Sequence, residues 1–362
     1  MLEHWRAVGW QDARVEVSGA ALSGAYYAQL VAPTIAARWP SLSYAAGRLG
    51  GGSDALGFDD ALSRDHDWGL RLNLLVAADM TAQVDAYLQR VLPATFGGHP
   101  TRFGTSWDPQ VRHRVQVEDV SSFVSSCTGL DVSGGLSIPD WLSLTGQAVL
   151  EVTEGPVFVD TVGELTAVRE RLAWYPDDLW RYVVATDWAR IAQELPFIGR
   201  VAERGDDLGS RVITARLVEA AMHLAHVLER RWLPYAKWAG TSLIRLPRAG
   251  SVVELLQRSL ETNYWRTREE GLVSALRMLH QLQADIGLPA VDDPVEPFFD
   301  RPYRGIRDEV VTRLENSMTD HEVRALPRGV GSAEQWIHNV DVLVDPALRV
   351  PPPSGQARLH RR

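Results

Sequence analysis

The chain has a single cysteine, Cys127, among its 362 residues, so no internal disulfide framework is available. Cys127 sits among serines with no His or Asp partner close by in sequence, which fits a small packed thiol. No apolar run is long enough to span a bilayer. The start, Met1-Leu2-Glu3-His4-Trp5, lacks the basic stretch and apolar run of a secretory signal. A basic excess is missing as well. Lys and Arg total 37 against 46 Asp and Glu, a formal net charge of −9. That balance argues against a general nucleic-acid binder, and leaves room for a local basic groove that takes one nucleotide. There is no internal repeat. The expected setting is cytoplasmic.

What remains is ordinary in bulk and unusual in one place. Hydrophobic residues make up 45% and charged residues 23%, as in a soluble globular chain long enough for two domains. Tryptophan is abundant, with 13 copies. Trp174, Trp180, Trp188, Trp232 and Trp238 lie in the second half and are expected to anchor a helical core, with room for one or two to stack on a ring-shaped ligand.

The first half alternates helix and strand signals. Residues 20–39 read as a helix with Ala21, Leu22, Tyr26, Leu30 and Ile35 on its apolar side and a break or kink at Pro33. Residues 41–47 read as a short strand leading into Gly50-Gly51-Gly52-Ser53. From Asp65, strict alternation predicts a half-buried strand: Trp68, Leu70, Leu72, Leu74 and Val76 on one face, Asp65, Asp67, Gly69, Arg71 and Asn73 on the other. A helix is expected over 81–92 and a further strand over 112–120. Residues 121–163 are mixed, with turns at Gly134-Gly135 and Pro139. Helices are expected over 178–195, 209–232, 252–260 and 271–286, with Pro-rich pieces at 287–302. The fold class is α+β: a small mixed-sheet domain over residues 1–163, a helical substrate or acceptor domain over 164–345, and a disordered tail over 346–362.

The chemistry concentrates at the loop and the strand behind it. Gly51, Gly52 and Ser53 can offer backbone N–H groups and a hydroxyl to a polyphosphate, although no Gly-Lys-Ser/Thr follows to make a Walker A loop. Residues i and i+2 of a strand share a face, so Asp65 and Asp67 are expected to aim two carboxylates at one point. A hard cation such as Mg²⁺ takes such oxygen ligands together with nucleotide phosphates. An acidic strand start would carry the same two residues.

These residues bear a family resemblance. Gly52-Ser53, a spacer, then Asp65-His66-Asp67 resembles the signature of the nucleotidyltransferase (DNA polymerase β-like) superfamily. The stretch Leu56-Gly57-Phe58-Asp59-Asp60-Ala61-Leu62-Ser63-Arg64-Asp65-His66-Asp67-Trp68-Gly69 resembles the bacterial family DUF4037, as do Trp174-Tyr175-Pro176-Asp177-Asp178, Gln193-Glu194 and Pro234-Tyr235-Ala236-Lys237-Trp238. The resemblance covers about residues 45–245. It implies a nucleotidyltransferase-type sheet and transfer of a nucleoside monophosphate from an NTP, ATP first, to a hydroxyl of a small-molecule acceptor. It implies triphosphate contacts from Gly51, Gly52, Ser53, Arg64, Tyr235 and Lys237, and Mg²⁺ held by Asp65, Asp67 and a third carboxylate on the strand over 112–120. The position between Val115 and Val117 holds Gln116, and Glu118 lies one step along the same face. With Gln116 there, the alternative is a nucleotide-binding or regulatory module with weakened turnover.

Other polar residues read two ways. Glu194 is a candidate general base or a helix-end acid. Lys237 meets phosphate or lies over Trp238. Arg64 neutralises phosphate or pairs with Asp59 or Asp60. Asp206 and Asp207 attract a cationic acceptor or form an exposed turn. His223 and His226, three apart on a helix, are read as structural because no acidic partner is near in sequence.

Overall fold

The computed structural model describes residues 18–60, 62 and 68–349, which divide between two compact units. One comprises Met1–Ser125 and Glu151–Glu170, the other Ser126–Leu150 and Arg171–Arg362. The first is built on a four-stranded mixed sheet in the order β3-β2-β1-β4, with β1 Tyr44–Gly47, β2 Leu72–Val76, β3 Val115–Glu118 and β4 Val157–Asp160. β1 runs antiparallel to both neighbours, and β2 and β3 are parallel. Helices and short two-stranded pairs supply the rest, so the chain is α+β.

The alternation around Leu70 does place one face in the core. Leu70, Leu72, Leu74 and Val76 pack with Tyr26, Ile35, Val84 and Leu88. Each such side chain contributes about 1.5–3 kcal/mol when fully buried. Two details depart from the alternating pattern. The strand starts at Leu72, because the Arg71 N–H turns back onto the Gly69 carbonyl at 2.9 Å and pairing with β3 begins beyond it. β2 is also buried on both faces, Asn73 and Leu75 included, and lies inside the sheet. Asp65 and Asp67 lie outside the described residues.

Pro33 does not break its helix. The helix Gly19–Tyr26 passes through a π-helical stretch, Tyr27–Val31, into Ala32–Arg38. Proline lacks the N–H that would bond four residues back, and its ring crowds that carbonyl. The wider turn before it absorbs both effects. Further along, the strand expected to reach Val120 stops at Glu118. Asp119 instead accepts the Ser122 N–H at 2.9 Å and the Ser122 hydroxyl at 2.6 Å, which starts the helix Val120–Thr128. Likewise Ser137 and Asp140 form a reciprocal cap that opens the helix Ile138–Ser143.

The second unit is helical, and its long helices fall where the apolar spacing places them. Asp177–Glu194 begins with two acids in its first turn, as the helix dipole favours. Asp206 caps Asp207–Leu228 through the Gly209 N–H at 2.7 Å. Trp265–Asp285 starts ahead of the expected Gly271 because Arg268 and Glu269 are themselves buried. Trp180, Trp188 and Trp232 are core residues, and the Trp188 indole donates to Gln283 at 2.6 Å. The Pro-rich piece contains a strand, Val295–Pro297, paired with Arg304–Ile306. Cys127 is buried. Among the described residues no helix is long and apolar enough to cross a membrane.

Candidate functional site

The glycine loop leaves the end of β1 and is held from below. Arg48, 1% exposed, and Asp54, 5% exposed, form a bidentate pair at 2.7 and 2.6 Å. Arg48 also donates to the carbonyls of Leu49 and, at 2.9 Å, Gly51. Asn73 on β2 accepts the Leu49 N–H at 3.0 Å. The loop is thus gripped through its carbonyls and its first residues. Among the described residues, the N–H groups of Gly51, Gly52 and Ser53 have no hydrogen-bond partner. Backbone N–H groups left over in a glycine turn make an anion-binding concavity.

Gly52 has a structural requirement of its own. Its φ is +131°, and a Cβ there would lie 2.5 Å from both the Arg48 guanidinium and the Asp54 carboxylate. The Arg71 guanidinium would be 3.2 Å away, so a second cation lies beside the loop. The Glu151 carboxylate would be 3.6 Å from a Cβ on Gly51. Arg48 and Glu151 went unnoticed in the sequence, and Arg71 was placed on the face of Asp65 and Asp67 without a role. Arg48 and Arg71 do flank the loop and the signature, whereas Glu151 arrives from 100 residues away and leaves no local trace.

The strand register decides which residue neighbours which. Asn73 pairs with Gln116, and Leu75 pairs with Glu118. Gln116 is exposed and Glu118 is half-buried. Burial pushes the Glu118 carboxyl up to about 7; the neighbouring Gln116 side chain pulls it down in part, and Asp119 pushes it further up. Among the described residues, one carboxyl oxygen of Glu118 is buried with no hydrogen-bond partner. Such an oxygen is one that a bound cation would satisfy, so Glu118 fits a Mg²⁺ ligand. Arg64, like Asp65 and Asp67, lies outside the described residues, and among those described no three His, Cys, Asp or Glu side chains cluster as a metal site.

The second unit contains a buried charged cluster of its own. His223 Nδ1–H donates to Asp187 at 2.6 Å, and Nε2–H donates to Glu334 at 3.1 Å. All three side chains are less than 9% exposed. Burial opposes charge on the ring, but Asp187 and Glu334 outweigh it and raise His223 to about 10. His226, one turn on, behaves oppositely. Burial, aided by the His223 charge, lowers it to about 4 despite its bond to the Met222 carbonyl.

Residues 141–239 match DUF4037, a domain of unknown function. The DUF4037 resemblance is therefore shown over that segment, which begins after the glycine loop, Asp65, Asp67 and Glu118. No curated protein matches the chain. Among solved structures, a nucleotidyltransferase-like protein from Exiguobacterium sibiricum 255-15 is 13% identical, over 73% of this chain and 76% of that one, with a TM-score of 0.33. A likeness at that level settles neither fold nor chemistry.

The DUF4037 segment contains Asp187 and His223 and the remaining residues singled out from sequence. Glu194, at the end of its helix, pairs with Arg216 at 2.6 Å. Lys237 is exposed, with Nζ 5.1 Å from the centre of the Trp238 ring. Tyr235 precedes the helix Ala236–Ile244, and its N–H donates to Gln147 at 3.3 Å. Asp206 is a helix cap, and Asp207 pairs with Arg211 and Arg268.

Proposed function

We propose that this protein is a Mg²⁺-dependent nucleotidyltransferase. It moves a nucleoside monophosphate from an NTP, ATP in the first instance, to a hydroxyl of a small molecule, in a cytoplasmic setting. The observation that carries this reading is the loop. Among the described residues, three successive N–H groups have no partner above the buried Arg48–Asp54 pair, two strands away from a carboxyl whose buried oxygen also lacks one.

In this reading Gly51, Gly52 and Ser53 hold the β- and γ-phosphates, with Arg64 and Arg71 adding positive charge. Asp65, Asp67 and Glu118 would hold the metal, which when bound neutralises phosphate charge and lowers the barrier to displacement. The acceptor oxygen bonds to the α-phosphorus, the bond to the pyrophosphate oxygen breaks, and the acceptor proton passes to a carboxylate base. Glu194 is the candidate for that base, and Lys237 with Tyr235 for further triphosphate contacts. Positioning and charge neutralisation supply most of the rate in such transfers.

The test is release of pyrophosphate from Mg–ATP by the full chain, across a panel of hydroxylated acceptors. Asp65→Asn and Asp67→Asn should abolish it. A second reading, a nucleotide-binding or regulatory module, draws on Gln116, a neutral amide in register with Asn73. Saturable Mg–ATP binding, with no product from any acceptor, favours that second reading.

A further inference from the structure

A cavity of about 260 Å³ lies within the second unit, beside the Asp187–His223–Glu334 cluster. Its walls are mostly apolar and include Met222, Leu233, Pro234, Ile337 and Leu343. Buried polar side chains reach it, His223, Glu334, Thr145 and Gln147 among them, and Arg190, Glu219 and His338 complete its charged lining. The C-terminal stretch forms one wall. It is pinned there by Gln335 donating to Asp187 at 2.7 Å and by Thr145 donating to the Leu343 carbonyl at 2.7 Å.

The charges around this cavity are unequal. His223 is already held between two carboxylates, Asp187 and Glu334, so that cluster keeps one negative charge. Arg190 brings one positive charge, turned onto the Gln335 carbonyl. Glu219 brings another negative one, 3.3 Å from His338. Among the described residues, each oxygen of Glu334 accepts one hydrogen bond, from His223 at 3.1 Å and from the Gly146 N–H at 2.6 Å. A carboxylate oxygen can accept a second. A ligand bearing negative charge would face Glu334 and Glu219, with the Arg190 guanidinium turned onto the Gln335 carbonyl. A ligand with N–H donors and a positive charge completes Glu334 and balances the site.

We propose that this cavity binds a small organic ammonium ion, with its N–H donors on Glu334 and its apolar body against Met222, Leu233 and Ile337. The site uses neither the glycine loop nor a metal, and shares with the nucleotide reading only Tyr235 on its wall.

The experiment is calorimetric titration of the full chain, without nucleotide or Mg²⁺, with benzylamine, benzyl alcohol and benzoate. Benzylamine should saturate and bind at least tenfold tighter than the other two. Ala236→Trp adds bulk at an exposed position of the cavity wall and should remove that binding while leaving the fold intact by circular dichroism. Glu334→Gln should weaken benzylamine at least tenfold; where that variant does not fold, Ala236→Trp decides alone. Benzoate binding as well as benzylamine, no saturation by any probe, or binding unchanged in Ala236→Trp would each overturn the proposal. Pyrophosphate release is a separate readout, so failure of one reading leaves the other standing.

Discussion

Arg48 and Asp54 meet in a bidentate ion pair directly beneath Gly52, so closely that a single added carbon would strike both. The pair is buried, and removing either partner would strand a charge, at about 3–5 kcal/mol. Its role at this place is to fix the loop's carbonyls and leave the N–H groups of Gly51, Gly52 and Ser53 for a ligand.

Gly52→Ala should therefore damage both stability and binding. The variant must hold a φ of +131° and displace the ion pair. The backbone strain alone costs about 1–3 kcal/mol, and disturbing the ion pair adds to it. Chemical denaturation measures that loss, and titration with Mg–ATP should show at least tenfold weaker binding. Gly57→Ala is the comparison: φ is +67° there, but a Cβ meets nothing within 4 Å. It should cost about 1 kcal/mol and leave nucleotide affinity unchanged.

Glu118→Gln separates burial from function. The folded carboxyl titrates near 7, above its ordinary value of 4.5, so the wild-type group favours the fold fully below pH 4.5 and loses that contribution as pH rises through 7. The neutral amide has no such loss. The melting temperature of the variant relative to wild type should climb between pH 4.5 and 7 and level off above. If Glu118 is a metal ligand, Mg–ATP should stabilise wild type more than the variant at pH 8. Equal stabilisation of the two would remove Glu118 from the metal site.

How far the sequence carried this picture depends on the distance between partners. The core face of β2 was legible because Leu70, Leu72, Leu74 and Val76 obey a period of two. The long helices were legible from their apolar spacing, whereas the cap at Asp206 was read only as an acceptor contact or an exposed turn. The start of β2 was not, since the Gly69–Arg71 turn interrupts a pattern that continues through it. Short helices opened by Asp119 and Ser137 were hidden among serines and prolines that also suit turns. The largest omission was His223. It was read as structural for want of a nearby acid, yet its acids come from 36 residues before and 111 residues after. No local spacing reports such a meeting.

Asp65→Asn and Asp67→Asn test the signature directly. Each change keeps the size of the side chain and removes its charge. Pyrophosphate release from Mg–ATP should fall by at least about 100-fold, in line with the loss of several kcal/mol of charge stabilisation. The far-ultraviolet spectrum should not change. Gln116→Glu, by contrast, adds a carboxylate in register with Asn73 and should raise release if a missing acid limits turnover. Unchanged release in both Asp variants would remove the metal assignment.

The paired histidines set opposite pH limits on the second unit. His223 titrates near 10 in the fold against an ordinary 6.5, so its stabilisation is complete below pH 6.5 and is lost as pH rises towards 10. His226 titrates near 4, so its contribution is complete above pH 6.5 and is lost as pH falls towards 4. Its Nδ1–H donates to the Met222 carbonyl at 2.8 Å, and its Nε2, 2.9 Å from the Ser242 hydroxyl, accepts from it only while unprotonated. His223→Gln leaves Asp187 and Glu334 buried without their shared cation, at about 3–5 kcal/mol when measured at pH 6. Urea unfolding should show that deficit shrinking towards pH 10, because wild type loses the same charge there. His226→Asn should instead remove part of the acid sensitivity between pH 6.5 and 4. A His223→Gln deficit that stays constant from pH 6 to 10 would mean that the ring is neutral in the fold, and that its two carboxylate partners do not hold it charged.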